Sequence, residues 1–309
     1  MTSAPPRLFD RDLHRARLDR AAPGYGAADF LKARAAADAV ERLEAIMREF
    51  PVAVDLGARN GAFAAALAAS EAKTKVGALI ETDLSIRMLS NRPGKDIGLR
   101  VQGDEERLPF AEGSLNLAVS LLSLHWTNDL VGALIQIRQA LKPDGLFLGA
   151  LFGGGTLAEL RQCLTQAEAE LLGGAGLRVS PFADVLDGAA LLQRAGFALP
   201  VADLDRVTVR YASALELIRD VRAMGESNVL VDRARRPLTR PILARTAQIY
   251  HERFSESDGR VRATFDIVTL TGWAPHPDQQ QPLRPGSAKM RLADALHVKE
   301  RSAGEKSGH

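Results

Sequence analysis

The chain has 309 residues, of which 46% are hydrophobic and 25% are charged. This apolar fraction is too high for a disordered chain, and the length is sufficient to bury a core without disulfides. Forty basic residues against 38 acidic ones leave a formal charge of only +2, so overall basicity gives no argument for a nucleic-acid partner. The single cysteine, Cys163, excludes an internal disulfide and a cysteine-rich zinc site, and we expect no metal.

The N-terminal sequence gives no indication of a targeting segment. Its first 20 residues lack an apolar stretch like that of a secretory signal, and Asp10, Asp12 and Asp19 argue against an arginine-rich transit peptide. The longest apolar stretch, residues 115–126, is too short to span a bilayer, which needs about 20 residues. We therefore predict a soluble protein located in the cytoplasm.

Apolar residues in the first half of the chain recur with periods that alternate between helix and strand. This pattern predicts helices at 28–49, 62–72, 85–90 and 130–141, and strands at 51–57, 75–80, 99–102, 115–120 and 146–152. Residues 142–145 are predicted to form a turn in which Pro143 presets φ and Gly145 takes a positive φ. Strands that alternate with helices at this spacing indicate a mainly parallel, doubly wound α/β sheet over residues 50–152.

The second half of the chain has a less regular pattern. It predicts helices at 156–172, 184–195, 215–224 and 238–254, strands at 207–211 and 262–273, a loop at 275–287 and a disordered polar tail from 299. Because the later strands could extend the first sheet, we expect one domain rather than two. Its parts are an N-terminal arm and helix (1–49), a core (50–152), a continuation of the sheet with helical insertions (153–274), and a loop with a tail (275–309).

Two glycines follow the first predicted strand. Gly57 and Gly61 come shortly after Asp55, at the point where a helix is predicted to begin. Glycines at such a position let the backbone turn tightly and approach a ligand at the helix N-terminus. A tight turn without a ligand would need the same residues, so this loop alone does not decide between the two explanations.

Acidic residues follow the next two predicted strands. Asp83 and Leu84 come after the second strand, where a carboxylate can accept hydrogen bonds from ribose hydroxyls. Asp104 and Glu105 come after the third. A helix N-cap and a surface loop are the alternative explanations for these acids. Because the carboxyl ends of parallel strands share one edge of a sheet, the joint pattern predicts one binding crevice.

These segments carry a family resemblance when they are taken together. They are Asp55-Leu-Gly57, Asp83-Leu-Ser85, Gly103-Asp104 with residues 108–110, and residues 141–145. They resemble the class I S-adenosylmethionine-dependent methyltransferases. This resemblance implies a seven-stranded, mainly parallel α/β sheet whose core (50–152) binds S-adenosylmethionine. Asp83 would bind the ribose, and Asp104 would lie near the adenine. Gly57 and Gly61 would line the methionine part.

Two positions depart from that family's pattern. Arg59 stands where the loop usually has its middle glycine, and Asn116 stands where the fourth strand usually has an aspartate. A side chain at position 59 could weaken cofactor binding, which leaves a non-catalytic assembly chaperone as one alternative function. An ordinary methyltransferase acting on a small molecule or a carrier-bound acid is the other alternative.

Further motifs extend along nearly the whole chain. They are Phe9-Asp-Arg-Asp12, Leu124-His-Trp126, Asn128-Asp-Leu130, Phe152-Gly-Gly154, Ser180-Pro-Phe182, Arg194-Ala-Gly-Phe197, Met224-Gly-Glu-Ser-Asn228 and Gly272-Trp273. With these, residues 8–298 resemble the methyltransferase-like assembly factor 5 family of NADH:ubiquinone oxidoreductase, complex I. The resemblance implies hydroxylation of an arginine in a core subunit of complex I, which would be the protein partner. Malonyl-carrier-protein methyltransferases resemble the first half of the chain.

Five residues are candidates for the reacting site. His125 and Trp126 follow the fourth predicted strand, where His125 could act as a general base and Trp126 could stack on a guanidinium. Asp10 and Tyr25 could enter the crevice from the N-terminal arm, and Glu226 could face the target from a turn. Carboxylates and aromatic rings together suit an arginine substrate. Each residue also has a structural explanation. His125 could order its loop, Trp126 could be packing, Asp10 and Tyr25 could belong to a solvated arm, and Glu226 could belong to a capped turn.

Two basic clusters, at 11–20 and 233–236, could contact an anionic membrane surface or a partner subunit. A solvated face is the alternative explanation, because acidic residues near both clusters reduce their net charge. A peripheral contact at the inner face of the membrane therefore stays an expectation.

Overall fold

A seven-stranded sheet forms the centre of the fold in the computed structural model, which describes residues 7–91, 98–182 and 188–279. Its strands are β1 (Phe50–Leu56), β2 (Val76–Asp83), β3 (Leu99–Gln102), β4 (Leu115–Leu121), β5 (Leu141–Phe152), β6 (Ala198–Tyr211) and β7 (Val261–Trp273). Their order across the sheet is β3-β2-β1-β4-β5-β7-β6. Strands β1 to β5 run parallel, and β7 pairs antiparallel with both β5 and β6. The predicted mainly parallel α/β sheet is confirmed, and the later strands extend it.

Helices cover both faces of the sheet and its carboxyl edge. They are α1 (Arg11–Ala21), α2 (Phe30–Ala45), α3 (Ala62–Ala68), α4 (Ile86–Ser90), α5 (Leu130–Ala140), α6 (Ala158–Leu172), α7 (Gly188–Arg194), α8 (Ala214–Ala223) and α9 (Arg240–Phe254). Helices α2, α3, α6, α8 and α9 pack on one face, and α5 and α7 pack on the other. The N-terminal helix α1 packs against α4 at the carboxyl edge.

Consecutive residues of the central strands contribute to the two opposite faces. Ala53 and Leu148 belong to the apolar cluster on the first face, and their neighbours Val54 and Phe147 belong to the cluster on the second. Side chains of a strand alternate between faces, so a strand covered on both sides needs apolar residues at successive positions. This requirement explains why the central strands read as continuous apolar runs in the sequence.

The predicted turn at 142–145 lies inside β5 instead. The pairing register between β4 and β5 shifts across this segment, as it does at a β-bulge. Asp144, not Gly145, carries the positive φ, with a value of 63°. A Cβ on Gly145 would lie 2.8 Å from the carbonyl oxygen of Lys142, so this glycine is needed for a close backbone approach.

Strand β6 begins at Ala198, well before the predicted strand at 207–211. Pro200, Asp203 and Asp205 interrupt the apolar pattern there. They are tolerated because β6 lies at the edge of the sheet, where one side of the strand has no neighbour to pair with. Both aspartates form ion pairs with arginines of α2, at 2.9 Å and 2.6 Å.

Some predicted elements extend beyond the described residues. Residues 184–187 of one predicted helix, most of the predicted loop at 275–287 and the whole predicted tail are among them. The described residues up to Pro275 belong to one compact unit, and those from His276 belong to a second. None of the helices in the described ranges has the length and hydropathy that crossing a bilayer requires.

Candidate functional site at the carboxyl edge of the sheet

The loops that follow the parallel strands meet at the carboxyl edge of the sheet. The Ala58 N–H, after β1, donates to the Thr82 carbonyl oxygen at 2.8 Å, and the Gly103 N–H, after β3, donates to the Asp83 carbonyl oxygen at 3.0 Å. These bonds hold Asp83 and the loop of Asp104 side by side. Asn116 lies at the opposite end of β4, where its side-chain oxygen accepts from the Val52 N–H at 3.2 Å, so this departure from the family pattern does not affect the crevice.

Arg59 occupies the centre of this edge. It adopts the left-handed region with a φ of 55°, and its side chain is only 1% exposed. Its Nη1 and its backbone N–H both donate to Asp83 Oδ2, at 2.8 Å and 2.9 Å. The Ser85 N–H donates to Asp83 Oδ1 at 2.8 Å. The chain itself therefore already engages both carboxylate oxygens that were predicted to bind ribose.

The Arg59–Asp83 ion pair offsets the free-energy cost of the left-handed backbone conformation of Arg59. Burial lowers the pKa of the Arg59 guanidinium, but the charge of Asp83 and of more distant acids outweighs burial and raises that pKa overall. A left-handed φ costs a residue other than glycine roughly 1–3 kcal/mol. Glycine would adopt the same φ without this cost, so Arg59 is favoured by its buried ion pair and not by the geometry of the loop.

Helix α1 covers the other side of the crevice through Arg11. Its Nη2 donates to Asp104 at 2.6 Å and also to Glu105, and its Nη1 donates to the Trp126 carbonyl oxygen at 3.2 Å. Burial raises the pKa of Glu105, but Arg11 and then Arg59 reverse the effect, so that pKa is lowered overall. Arg11, placed by sequence in an outward basic cluster, is only 13% exposed and points to the crevice acids.

A buried lysine that sequence reasoning missed lies beneath the glycine loop. The Lys32 amino group donates to the carbonyl oxygens of Gly57 and Leu121, at 2.5 Å and 2.6 Å. Burial lowers the pKa of Lys32 and raises the pKa of the neighbouring carboxyl of Asp55. The sequence could have indicated that Lys32 is buried, because it stands on the apolar face of α2 with Ala36 and other core residues.

The predicted glycines serve the packing of the chain itself. Gly57 and Gly61 both have positive φ values, of 71° and 80°. A Cβ on Gly57 would collide with the Ser123 side chain, which donates a hydrogen bond to Glu105. The close approach at Gly57 is therefore made by the loop after β4.

Tyr25 and Leu84 border the crevice from the N-terminal side. Both are buried, and they belong to one apolar cluster with residues of α1 and α4. Burial raises the pKa of the Tyr25 hydroxyl, and the charges that act on it include those of Arg59, Glu226 and Asp83. Tyr25 is therefore held by packing beside Leu84, and its role in the site stays a prediction.

Glu226 brings three of the predicted residues together. Its Oε2 accepts a hydrogen bond from Trp126 Nε1 at 2.7 Å and lies 3.0 Å from His125 Nε2. Its Oε1 makes no hydrogen bond within the described residues. The carboxylate follows Gly225, whose φ of 78° turns the chain at the end of α8. One oxygen of Glu226 is thus fixed in place, and the other is free to accept.

Two candidates have structural roles instead of the predicted ones. Asp10 is the N-cap of α1, accepts from the Leu13 N–H at 3.0 Å and does not reach the crevice acids. Trp126 is 1% exposed and packs against Phe9, with ring centroids 5.3 Å apart, and against other aromatic rings. Because almost none of its side chain is exposed among these rings, stacking on a substrate guanidinium would require a rearrangement.

Several buried polar atoms in this region have no hydrogen-bond partner within the described residues. They are both carboxylate oxygens of Asp55, Nε and Nη2 of Arg59, Oδ1 of Asn60, and Nδ1 of His14 and of His125. Buried polar groups are nearly always hydrogen-bonded, so orphaned donors and acceptors collected in one region fit a polar ligand. The residues fit S-adenosylmethionine in this respect, although Arg59 already occupies the Asp83 oxygen that was predicted to bind the ribose.

We expect His14 to make the fold sensitive to mild acid. Burial, followed by the charges of Arg59 and Arg11, holds the pKa of His14 well below its usual value of 6.5. The unfolded chain binds a proton as the pH falls below that value, and the folded chain does not. The contribution of His14 to the free energy of unfolding should therefore fall below about pH 6.5, by up to about 1.4 kcal/mol per pH unit, and stay level above it.

Urea unfolding between about pH 5 and 7 measures this dependence. The free energy of unfolding of the wild type minus that of His14→Gln should fall below about pH 6.5, whereas the difference from His251→Gln, at an exposed position of α9, should not change with pH. An unaltered dependence in His14→Gln would assign the effect to other groups.

A cavity of about 340 Å³ adjoins the crevice. Trp126 and Glu226 are in its wall, whereas Asp83 and Asp104 are not. Buried leucines of α6 and its N-terminal flank line one side, and five arginines also line it: Arg17, Arg20, Arg178, Arg222 and Arg233. The cavity thus meets the crevice region at the fixed carboxylate of Glu226. Within the described ranges, no group of three or more His, Cys, Asp or Glu residues is placed to hold a metal ion.

Comparison with known sequences finds full-length relatives. The arginine-hydroxylase NDUFAF5 of Danio rerio is 41% identical over 94% of this chain and 90% of its own length. The human protein of the same name is 41% identical over 94% of this chain and 85% of its own length. A malonyl-[acyl-carrier protein] O-methyltransferase of Halorhodospira halophila is 34% identical over 88% of this chain and 91% of its own length. That similarity is not confined to the first half of the chain, contrary to the sequence-based expectation.

Comparison of folds agrees with the sheet topology. A methyltransferase domain model matches residues 54–149. A putative methyltransferase of Bacillus halodurans superposes with a TM-score of 0.53, covering 78% of this chain and 99% of the other, at 15% identity. A phosphoethanolamine N-methyltransferase of Haemonchus contortus, solved with S-adenosylhomocysteine, superposes with a TM-score of 0.51 at 13% identity, covering 85% of this chain and 60% of the other. At these identities the two structures support the fold alone.

The names of the relatives correct one prediction. The vertebrate arginine hydroxylases are named as mitochondrial proteins. The prediction of a cytoplasmic protein, which rested on the composition of the first 20 residues, is therefore wrong. Acidic residues in that segment are explained by the fold, since Asp10 caps α1 and Asp19 accepts a hydrogen bond from Ser85.

Proposed function

This chain belongs to the family of methyltransferase-fold arginine hydroxylases, and we propose that it hydroxylates an arginine of a complex I core subunit during assembly. The observation that carries the proposal is the identity of about 40% to arginine hydroxylases over nearly the whole chain. The Glu226 carboxylate in the cavity wall agrees with it, because a guanidinium binds best to a carboxylate whose position is fixed.

We also propose that the crevice binds S-adenosylmethionine. Asp83 would hold the ribose hydroxyls, the loop of Asp104 and Glu105 would border the adenine, and Gly57 and Gly61 would border the methionine part. When bound, the cofactor supplies a sulfonium that can donate a methyl group. The orphaned polar atoms around Arg59 and Asn60 support a polar ligand here. Binding requires Arg59 to release Asp83.

The chain's own residues would position the substrate arginine. Glu226 Oε1 would accept from the guanidinium while Trp126 and His125 hold Oε2 in place. The leucines of α6 would exclude water from the aliphatic part of the side chain. Hydroxylation replaces one C–H bond with C–OH. With dioxygen as the oxidant, the second oxygen atom leaves as water, and an external reductant supplies two electrons with two protons.

Peptide masses of complex I core subunits test this function. We expect one arginine-containing peptide to be lighter by one oxygen atom in cells that lack the gene, and to regain it when the wild-type gene is restored. If assembly fails while every peptide mass stays the same, the protein is an assembly chaperone and not a hydroxylase.

Methyl transfer is the second candidate function. The observation that favours it is the 34% identity to a malonyl-[acyl-carrier protein] O-methyltransferase over 88% of the chain. The same peptide comparison distinguishes it, because a lost methyl group and a lost oxygen atom differ in mass.

A further inference from the structure

Three arginines in the wall of the cavity lack a partner among the described residues. Arg17, Arg20 and Arg222 line the cavity and make no hydrogen bond or ion pair there through their side chains. Arg17 and Arg20 lie one turn apart on α1, and Arg222 lies in the last turn of α8. Two separate elements thus direct positive charge to one place, which is unfavourable unless an anion binds between them.

The remaining two arginines of the cavity differ because they are partly neutralised. Arg178 forms a two-pronged ion pair with Glu168, and Arg233 lies 3.7 Å from Asp10. Burial, and then the charges of Arg233, Arg20 and Arg222, lower the pKa of Arg17, as expected for cations held close together, and the smaller opposing effect of Asp10 does not reverse this. The positive charge left without a partner is therefore concentrated at the three residues on α1 and α8.

The cavity has two regions of different character. Arg20 and Arg222 are exposed, so they lie at its mouth, whereas Leu160 and Leu164 are buried and form its floor. Among the described residues that line it, Glu226 is the only acidic one. An occupant that matches this arrangement carries one positive group for Glu226 and several negative groups for the mouth.

We propose that Arg17, Arg20 and Arg222 bind carboxylate side chains of the protein substrate, so that the arginine received by Glu226 is flanked by aspartates or glutamates. This inference rests on the proposed function, since it takes the substrate to be a protein with a reactive arginine. An anionic membrane surface would be attracted by the same charges. It fits less well, because a plane of headgroups does not enter a concave cavity whose wall contains a carboxylate.

Two labelled peptides test the proposal in fluorescence anisotropy. The first has an arginine between Asp-Glu pairs, and the second has the same arginine between Asn-Gln pairs. We expect the acidic peptide to bind the full chain at least about tenfold more tightly, through two or more charge-assisted hydrogen bonds. The preference should disappear in Arg17→Gln/Arg20→Gln/Arg222→Gln. The control is Arg15→Gln/Arg219→Gln, which removes exposed arginines from the same two helices outside the cavity and should keep it.

Each outcome is informative. Equal affinity for the two peptides, no binding of either, or an unchanged preference in the triple variant overturns the proposal. Loss of binding to phosphatidylserine vesicles in the triple variant, without any peptide preference, would assign the arginines to a membrane surface instead. A third peptide, with lysine in place of arginine, separates the two claims. If it binds as tightly as the acidic arginine peptide, the recognition of acidic flanks by the three arginines stands and the assignment of an arginine to Glu226 fails.

Discussion

Replacing Arg59 with glycine should increase the affinity for S-adenosylmethionine by at least about tenfold. The guanidinium occupies Asp83 Oδ2, which we propose as a ligand of the ribose, and breaking a buried ion pair typically costs about 3–5 kcal/mol. Arg59→Gly removes this cost from the binding step. Glycine also adopts the left-handed φ of position 59 without the strain that this φ imposes on arginine. Isothermal titration calorimetry of the purified chain measures the change directly.

Two further variants separate the contributions. Arg59→Ala releases Asp83 but keeps the backbone strain, so its affinity should lie between those of the wild type and Arg59→Gly. Arg107→Ala removes an exposed arginine of the neighbouring loop and should change nothing. The unliganded Arg59→Gly protein should be less stable, by about 3 kcal/mol, because Asp83 stays buried without a cation. Weaker binding in Arg59→Gly would mean that the orphaned Nε and Nη2 of Arg59 hold the cofactor.

Glu226→Gln should reduce hydroxylation of the substrate arginine by about 100-fold, because removing the charge of a buried pair costs about 2–5 kcal/mol. The amide keeps an oxygen that can accept from Trp126, so the fold should be preserved. The measurement is the fraction of the substrate peptide that carries the extra oxygen after the variant gene is restored to deletion cells.

The matched control for this prediction is Glu216→Gln, an exposed carboxylate on α8 outside the cavity. It should restore hydroxylation fully. Full hydroxylation by Glu226→Gln would remove Glu226 from the site and leave it as the partner that orders Trp126. Thermal unfolding of each variant shows whether lost activity reflects lost stability.

The sequence was sufficient to bring the candidate residues to one edge of the sheet. Strand tips in a parallel sheet meet by geometry, so Asp83 and Asp104 could be placed together from the order of strands alone. The grouping of His125, Trp126 and Glu226 came from a family resemblance and not from spacing, because about 100 residues separate Glu226 from the other two. Their hydrogen bonds depend on how α8 ends beside the loop after β4.

The partners of the crevice acids could not be predicted. Whether Arg11 turns outward or inward depends on how α1 docks on the edge, which no local pattern determines. Arg59 was recognised as a departure from the family pattern, but its pairing with Asp83 needed the left-handed φ of the loop. The capping role of Asp10 was not predicted, because a carboxylate that caps a helix and one that binds a ligand look alike in sequence.

The contacts of the N-terminal segment bear on how fast a ligand could bind and leave. Its residues are attached to three different loops: the Phe9 N–H donates to Asn128 at 2.8 Å, the Asp10 N–H donates to the Val229 carbonyl oxygen at 2.9 Å, and Arg11 pairs with Asp104. If a ligand passes beneath this segment, its rates of entry and release would depend on how often these attachments open. Its dwell time would then reflect the opening of the segment as well as the ligand's own contacts.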